Sequence, residues 1–429
     1  MAEALAPESD AAAANPAPQN ATVSESTLRQ FARANSWSAA SRVVVALGNL
    51  IRFAIFARML RPVDFGIVAA AFFCLDLLSV PTELNLMRAL VQQEDDFDDY
   101  LHTVWVLDVV RSLAIAAILI LLAKPLAMFF REGGSYKVFW GVAILGIVRE
   151  MPSPALVKMF REMEYHNLLV LNIGEFVATL GFGIIAILVL RDWRAILAAV
   201  VCGQLVYTII SYTLYPYRPK LRFDFHKARQ LFRFSRWITA ARLAQFLAKQ
   251  LDNVAVGHLL GPRLLGNYQM AFNIGEVPIA EFSGGVGQVV FPMVARLRDQ
   301  KHDRDRVLYL AAAGITIAGV AYALFLMAWG GPLVLRIFGP KWTGVAGPLR
   351  FLCLYGLFQG LITLGFNFLE GAGKPSVSFK LCLIRLAALA VLIYPMTIRF
   401  GNSGAACAGL ISVMVPIPFM IAFMREARE

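Results

Sequence analysis

A chain of 429 residues with 58% hydrophobic and only 16% charged side chains, and a mean hydropathy of +0.62, is too apolar for a soluble globular protein. Its formal net charge of +11 would suit nucleic acid, but the basic residues are spread over short loops between apolar runs, as a bilayer protein requires. What remains is an all-α polytopic membrane protein, because lipid leaves no partner for unpaired backbone groups and a crossing of about 30 Å takes roughly 20 apolar residues.

The first 30 residues, MAEALAPESDAAAANPAPQNATVSESTLRQ, are rich in Ala, Pro and small polar residues and have no charged stretch leading into an apolar run. They are expected to form a disordered cytoplasmic tail, not a signal peptide. Twelve crossings follow, at about 37–59, 63–85, 103–123, 138–158, 167–190, 194–215, 234–259, 264–292, 306–330, 345–369, 376–398 and 402–424. The fourth is unusual: VREMPSPALVKMF brings charges and two prolines, so it is expected to face a protein interior instead of lipid. The short loops on the side of the N-terminus carry the larger share of Lys and Arg, most densely at 218–236 and 296–306, which predicts both termini in the cytoplasm. Cys74, Cys202, Cys353, Cys382 and Cys407 all fall in apolar spans with no CxxC spacing, and read as small core residues.

The chain repeats itself. LRPVDFG at 60–66 returns as LGPRLLG at 260–266, and aligning 31–72 with 231–272 gives ten identities without a gap, among them Arg33/Arg233, Trp37/Trp237, Arg42/Arg242, Pro62/Pro262 and Gly66/Gly266. Six crossings lie between the copies, an even number, so both run in the same direction, as in a transporter made of parallel repeats. The expected division is a six-helix bundle over 31–217, a basic cytoplasmic linker at 218–233 and a second six-helix bundle over 234–429, around a central cavity. Locally, each Pro-x-x-x-Gly element is a hairpin between two crossings.

Aligned on this repeat, Arg42, Asn49 and Arg52 of the first crossing correspond to Arg242, Lys249 and Asp252 of the seventh, with Gln245 beside them. Residues seven apart lie nearly on one helical face, and charges in hydrocarbon are costly, so these seven side chains are the candidate lining of a substrate cavity. Arg42 and Arg242 lie near the inner helix ends, where snorkelling to the headgroups is the alternative. Asp76, Asp108 with Arg111, Arg149 with Glu150, Glu276 and Arg385 are further charges within spans. Asp108 and Arg111, three apart, are expected to neutralise each other. Glu175 has no basic neighbour at helical spacing and is, with Asp76, the candidate for proton or cation coupling. An excess of Arg and Lys suits a phosphate-bearing substrate.

GAGKPS at 371–376 is not a phosphate-cradling loop, since it lacks the earlier glycine and places proline after the lysine; no HExxH or GxSxG occurs either. An enzyme is not expected, nor a cofactor or metal. Transport would be driven by an ion gradient, the membrane potential or the substrate's own gradient.

MLRPVDFGIVAAAF, LNLMRALVQQ at 84–93, LVKMFREMEYHNLLVLNIGEFVATLGFGIIAILV at 156–189, LDNVAVGHLLGPRLLGNYQMAFNI at 251–274 and FLEGAGKPSVSF at 368–379 together resemble the polysaccharide transporter family, over about residues 30–425. These are the Wzx-type flippases of the multidrug/oligosaccharidyl-lipid/polysaccharide (MOP) superfamily. The resemblance implies two six-helix bundles, alternating access, and movement of a polyprenyl-diphosphate-linked oligosaccharide across a bacterial plasma membrane for exopolysaccharide or capsule synthesis. It also implies membrane lipids, a polysaccharide polymerase and export proteins as partners, and no nucleic acid. The rivals are a drug/cation antiporter of the same superfamily and a non-transporting scaffold for a synthesis complex.

Overall fold

The computed structural model describes residues 44–45, 48–83, 97–161, 164–217, 225–296, 301–371 and 374–426, and every regular element among them is a helix. The tail, Arg42 and residues 218–224 of the basic linker lie outside the described residues. The first crossing contributes α1, at 48–59. Then come α2 (Pro62–Ser79), α3 (Phe97–Leu121), α4 (Ala123–Phe129), α5 (Lys137–Arg149), α6 (Val157–Arg161), α7 (Tyr165–Leu190) and α8 (Trp193–Leu214). After the linker stand α9 (Phe225–Leu260), α10 (Pro262–Gly275), α11 (Val277–Arg296), α12 (Lys301–Phe338), α13 (Ala346–Gly371), α14 (Pro375–Met414) and α15 (Pro416–Glu426). Seven helical stretches among the described residues are long and apolar enough to cross a bilayer. This is a polytopic helical membrane protein.

The helix ends follow from local chemistry. Pro62 opens α2 where a missing N–H costs nothing, and the Arg61 backbone N–H and Nε donate to the Asp64 carboxylate at 3.0 and 3.2 Å. Asp64 is thus a buried anion at the positive end of its own helix. Between α7 and α8 the chain reverses in two residues: Arg191 is left-handed, with φ 56°, and Asp192 caps α8 by accepting from the Arg194 N–H at 2.9 Å. Gly401, with φ 59° and ψ −141°, interrupts α14 at the boundary expected between the last two crossings.

Several expected crossings are not single helices, and two of the breaks bear on the site. The fourth, placed at 138–158, consists of the 13-residue α5, a break at Met151–Ser153, a 3₁₀ turn at Pro154–Leu156 and the short α6. At 1.5 Å per residue α5 is only about 20 Å long, short of the roughly 30 Å of hydrocarbon. The break is satisfied from α8: the Ser153 N–H donates to Ser211 Oγ and Ser153 Oγ donates to the Tyr215 carbonyl, both at 2.9 Å. The eighth crossing divides at Glu276 into α10 and α11. Pro278 cannot donate to the Ile274 carbonyl four residues back, and the Tyr322 hydroxyl takes that oxygen instead, at 2.6 Å.

One continuous apolar core runs from Phe56 to Met424, anchored by the fully buried Trp342, Tyr268, Tyr355 and Phe368. One of its tight seams joins the two repeated elements. A side-chain carbon on Gly66 would overlap the Pro262 carbonyl oxygen, and one on Gly266 would overlap the Pro62 carbonyl oxygen. The starts of α2 and α10 therefore meet backbone to backbone, reciprocally. Around this seam Trp342 Nε1 donates to the Ala57 carbonyl, Lys341 Nζ to the Arg58 carbonyl and Arg58 Nη1 to the Ile337 carbonyl, each at 2.8 Å. Phe65 meets the Trp342 ring edge-on at 5.4 Å. This end of the molecule is sealed by contacts between residues on either side of the linker.

Candidate functional site

From the seam, α2 runs toward the opposite end; its last turns bring Asp76 and Ser79, and the 3₁₀ turn Val80–Thr82 that follows brings Glu83, to a cavity of about 660 Å³. The other walls are Asp108 and Arg111 of α3, Arg149 to Val157 around the broken fourth crossing, Glu175 of α7, Gln204 and Tyr207 of α8, and Arg242 of α9. The irregular backbone at Pro152–Pro154 thus occurs where it lines a cavity, the one setting in which a membrane interior tolerates it.

The cavity is charged, and its charges are paired. Arg111 holds Glu150 at 2.7 Å and Asp108 at 3.4 Å, Arg149 holds Asp76 at 3.1 Å, and Arg242 holds Glu83 at 3.2 Å. The expected Asp108–Arg111 pair is present, but the shorter bond goes across to Glu150. Glu175, without a basic neighbour on its own helix, lies within electrostatic reach of Arg52 and Arg149. Five carboxylates therefore face three guanidiniums, and an incoming anion gains a guanidinium only by displacing a carboxylate.

A smaller cavity of about 290 Å³ adjoins the first at Asp76, which lines both. Arg52, Phe53, Phe65, Phe72 and Phe73 form one side, and Gln250, Asn253, Gln269 and Asn273 the other.

Of the sequence-derived candidates, Arg242, Arg52, Asp76 and Glu175 come together around these spaces. Asn49 and Gln245 are exposed and line neither, Asn49 accepting from Arg52 Nη2 at 2.7 Å. Lys249 is bonded to the buried Glu276 at 3.1 Å, and the buried Asp252 accepts from the Tyr268 hydroxyl at 2.6 Å. Nearby, within electrostatic reach of Asp252, Arg385 donates to Gln359 and to the Tyr355 hydroxyl, both at 2.6 Å. The Asp252–Tyr268 bond ties α9 to α10, and the Arg385 bonds tie α14 to α13. Glu150 was among the charges read within spans, whereas Glu83 and the four carboxamides were missed from sequence, although amides three or four apart within proposed crossings are a readable signal. Among the described residues, no three His, Cys, Asp or Glu side chains gather as a metal site.

Residues 55–347 match the model of a family described as polysaccharide biosynthesis protein. The lipopolysaccharide biosynthesis protein WzxC of Escherichia coli is 21% identical over 80% of this chain and 70% of its own. The succinoglycan biosynthesis transport protein ExoT of Rhizobium meliloti is 26% identical over 82% of this chain and 71% of its own. Among solved structures, the lipid II flippase MurJ in an inward closed conformation superposes with a TM-score of 0.76 at 12% identity, covering 91% of this chain and 87% of MurJ. An inward-facing multidrug resistance transporter of the MATE family, in the MOP superfamily, gives 0.67 at 13% identity, covering 91% and 99%. The fold is thus that of the MOP transporters, and the chain belongs to the polysaccharide biosynthesis protein family.

Proposed function

We propose that the chain is a flippase that moves a polyprenyl-diphosphate-linked oligosaccharide from the inner to the outer leaflet of a bacterial plasma membrane, for exopolysaccharide or capsule synthesis. The observation that carries this reading is the charged cavity, walled by α2 and its neighbours, joined by Arg242 from beyond the linker and sealed at the Pro62/Pro262 end. The relatives named for lipopolysaccharide biosynthesis and succinoglycan transport support the substrate class. Twelve crossings in two six-helix bundles, related as parallel repeats, accommodate the reciprocal Gly66/Pro262 and Gly266/Pro62 contacts. With both termini cytoplasmic, the seam is the outer gate and the cavity faces inward. The tail at 1–30, the linker at 218–233 and the bundles on either side of it follow from the same topology.

In this mechanism the sugar-diphosphate enters the cavity while the lipid tail stays in the bilayer. Arg149 and Arg242 release Asp76 and Glu83 and bind phosphate oxygens, a charge-assisted exchange for which the planar guanidinium is suited. Asp76, freed beside Glu175, then takes a proton or cation, which couples loading to an ion gradient. Polymerase and export proteins receive the product outside.

The carboxylate excess in the cavity favours one second reading, a drug/cation antiporter. Deleting the gene separates the two. The flippase reading predicts accumulation of polyprenyl-diphosphate oligosaccharide on the inner leaflet. Unchanged intermediates and polymer, with altered dye resistance instead, would sink it.

A further inference from the structure

The smaller cavity is lined twice by the same duplicated segment. Counting 200 positions on from Phe53, Ala69 and Phe73 gives Asn253, Gln269 and Asn273, and all six side chains border the same 290 Å³. Equivalent positions of the two copies therefore face one space with different chemistry: an aromatic wall from the first copy, carboxamides from the second.

Both walls are held in place. Phe53 is braced edge-on by Phe65 at 5.3 Å, and Phe73 stacks on Phe246 at 5.7 Å. Asn253 is 5% exposed; its Nδ2 donates to Gln250 Oε1 at 2.6 Å, and its Oδ1 has no hydrogen-bond partner. A buried acceptor without a donor calls for a ligand donor.

The occupant's chemistry follows. Carboxamides carry no charge, and the charged groups at the margin, Arg52 and Asp76, are already bonded to Asn49 and Arg149. An ion has little to bind there while those pairs hold. A ligand with hydroxyls on one side and C–H groups on the other satisfies both walls: carboxamides donate to and accept from hydroxyls, and the negative face of an aromatic ring attracts polarised C–H bonds. That is a pyranose ring. The volume stands at the lower limit of ligand pockets, roughly 300 Å³, so the space takes one end of a glycan and not a whole lipid-linked substrate. Asp76 joins it to the larger cavity where the diphosphate would sit.

We infer that this cavity is a sugar-ring subsite, in which Gln269, Asn273 and Asn253 read hydroxyls while Phe53 and Phe73 lie against the ring. The inference rests on the flippase reading and adds to it where the glycan goes. The test uses the full-length protein in detergent and two probes: the lipid-linked oligosaccharide extracted from cells lacking this protein, and polyprenyl diphosphate without sugar. Wild type is expected to bind the glycosylated probe about tenfold more tightly or better, and the Gln269→Leu/Asn273→Leu double variant to lose that preference. Phe73→Leu, an apolar change on the opposite wall, is expected to weaken the preference severalfold, and carries the test if the double variant does not fold. A preference kept by folded variants, or absent from wild type, overturns the subsite. The flippase reading fails differently, when wild type binds neither probe.

Discussion

Lys249 holds the buried Glu276 carboxylate at 3.1 Å, and the pair fastens α9 to the junction of α10 and α11. Removing one member of a fully buried pair costs roughly 3–5 kcal/mol; with Lys249 43% exposed, about 1–3 kcal/mol is expected for Lys249→Ala. The variant should therefore lose folded protein, read as a lower thermal midpoint, and Lys249→Met with Glu276→Gln should recover it. Recovery of abundance but not of polymer export would instead return Lys249 to the transport machinery. Arg149→Ala and Arg242→Ala are expected to behave oppositely, with export reduced at least about tenfold at normal abundance. The positions of Lys249, Asp252 and Arg242 were legible in the repeat because charges stand out in apolar spans. Their duties were not, because the partners Glu276, Tyr268 and Glu83 come from other helices at no fixed sequence spacing.

At the scale of elements, the Pro-x-x-x-Gly hairpins read correctly as breaks between crossings. Their meeting across the molecule lies outside any local rule. The alignment at an offset of 200 nevertheless pairs the two hairpins that meet, and in the proposed arrangement of parallel repeats, elements close to the relating axis would touch each other. Gly66→Leu places a side chain against the Pro262 carbonyl and is expected to pry α2 from α10. A cysteine introduced at Ala69, in the smaller cavity, should then react several times faster with a membrane-impermeant maleimide added outside the cell. Unaltered labelling would mean that the seam is not the outer gate. The fourth crossing shows the complementary limit: its prolines and charges announced an interior position, but the break itself depends on Ser211 and Tyr215, more than fifty residues away.

For the whole molecule, the interlocked end at Trp342, Lys341 and Arg58 and the charged cavity at the other make a single state, closed at the seam. Alternating access requires a second state in which the seam parts, and a substrate drives that exchange only by binding the two states unequally. The internal ion pairs offer such a difference in the proposed mechanism, where phosphate would replace Asp76 and Glu83 only while Arg149 and Arg242 can reach it. Composition announced the membrane class, and the repeat marked the two elements that meet at the seam. The acidic share of the cavity did not emerge from counting charges along two helices, since Glu83, Asp108 and Glu150 reach it from the 3₁₀ turn after α2, from α3 and from the broken crossing. The most direct test is translocation by the full-length protein in vesicles carrying the extracted lipid-linked oligosaccharide, read as the fraction open to a glycosidase added outside. Flipping predicts that this fraction rises beyond the outer-leaflet share with wild type and falls back with Arg242→Ala; a fraction equal to that of protein-free vesicles would contradict it.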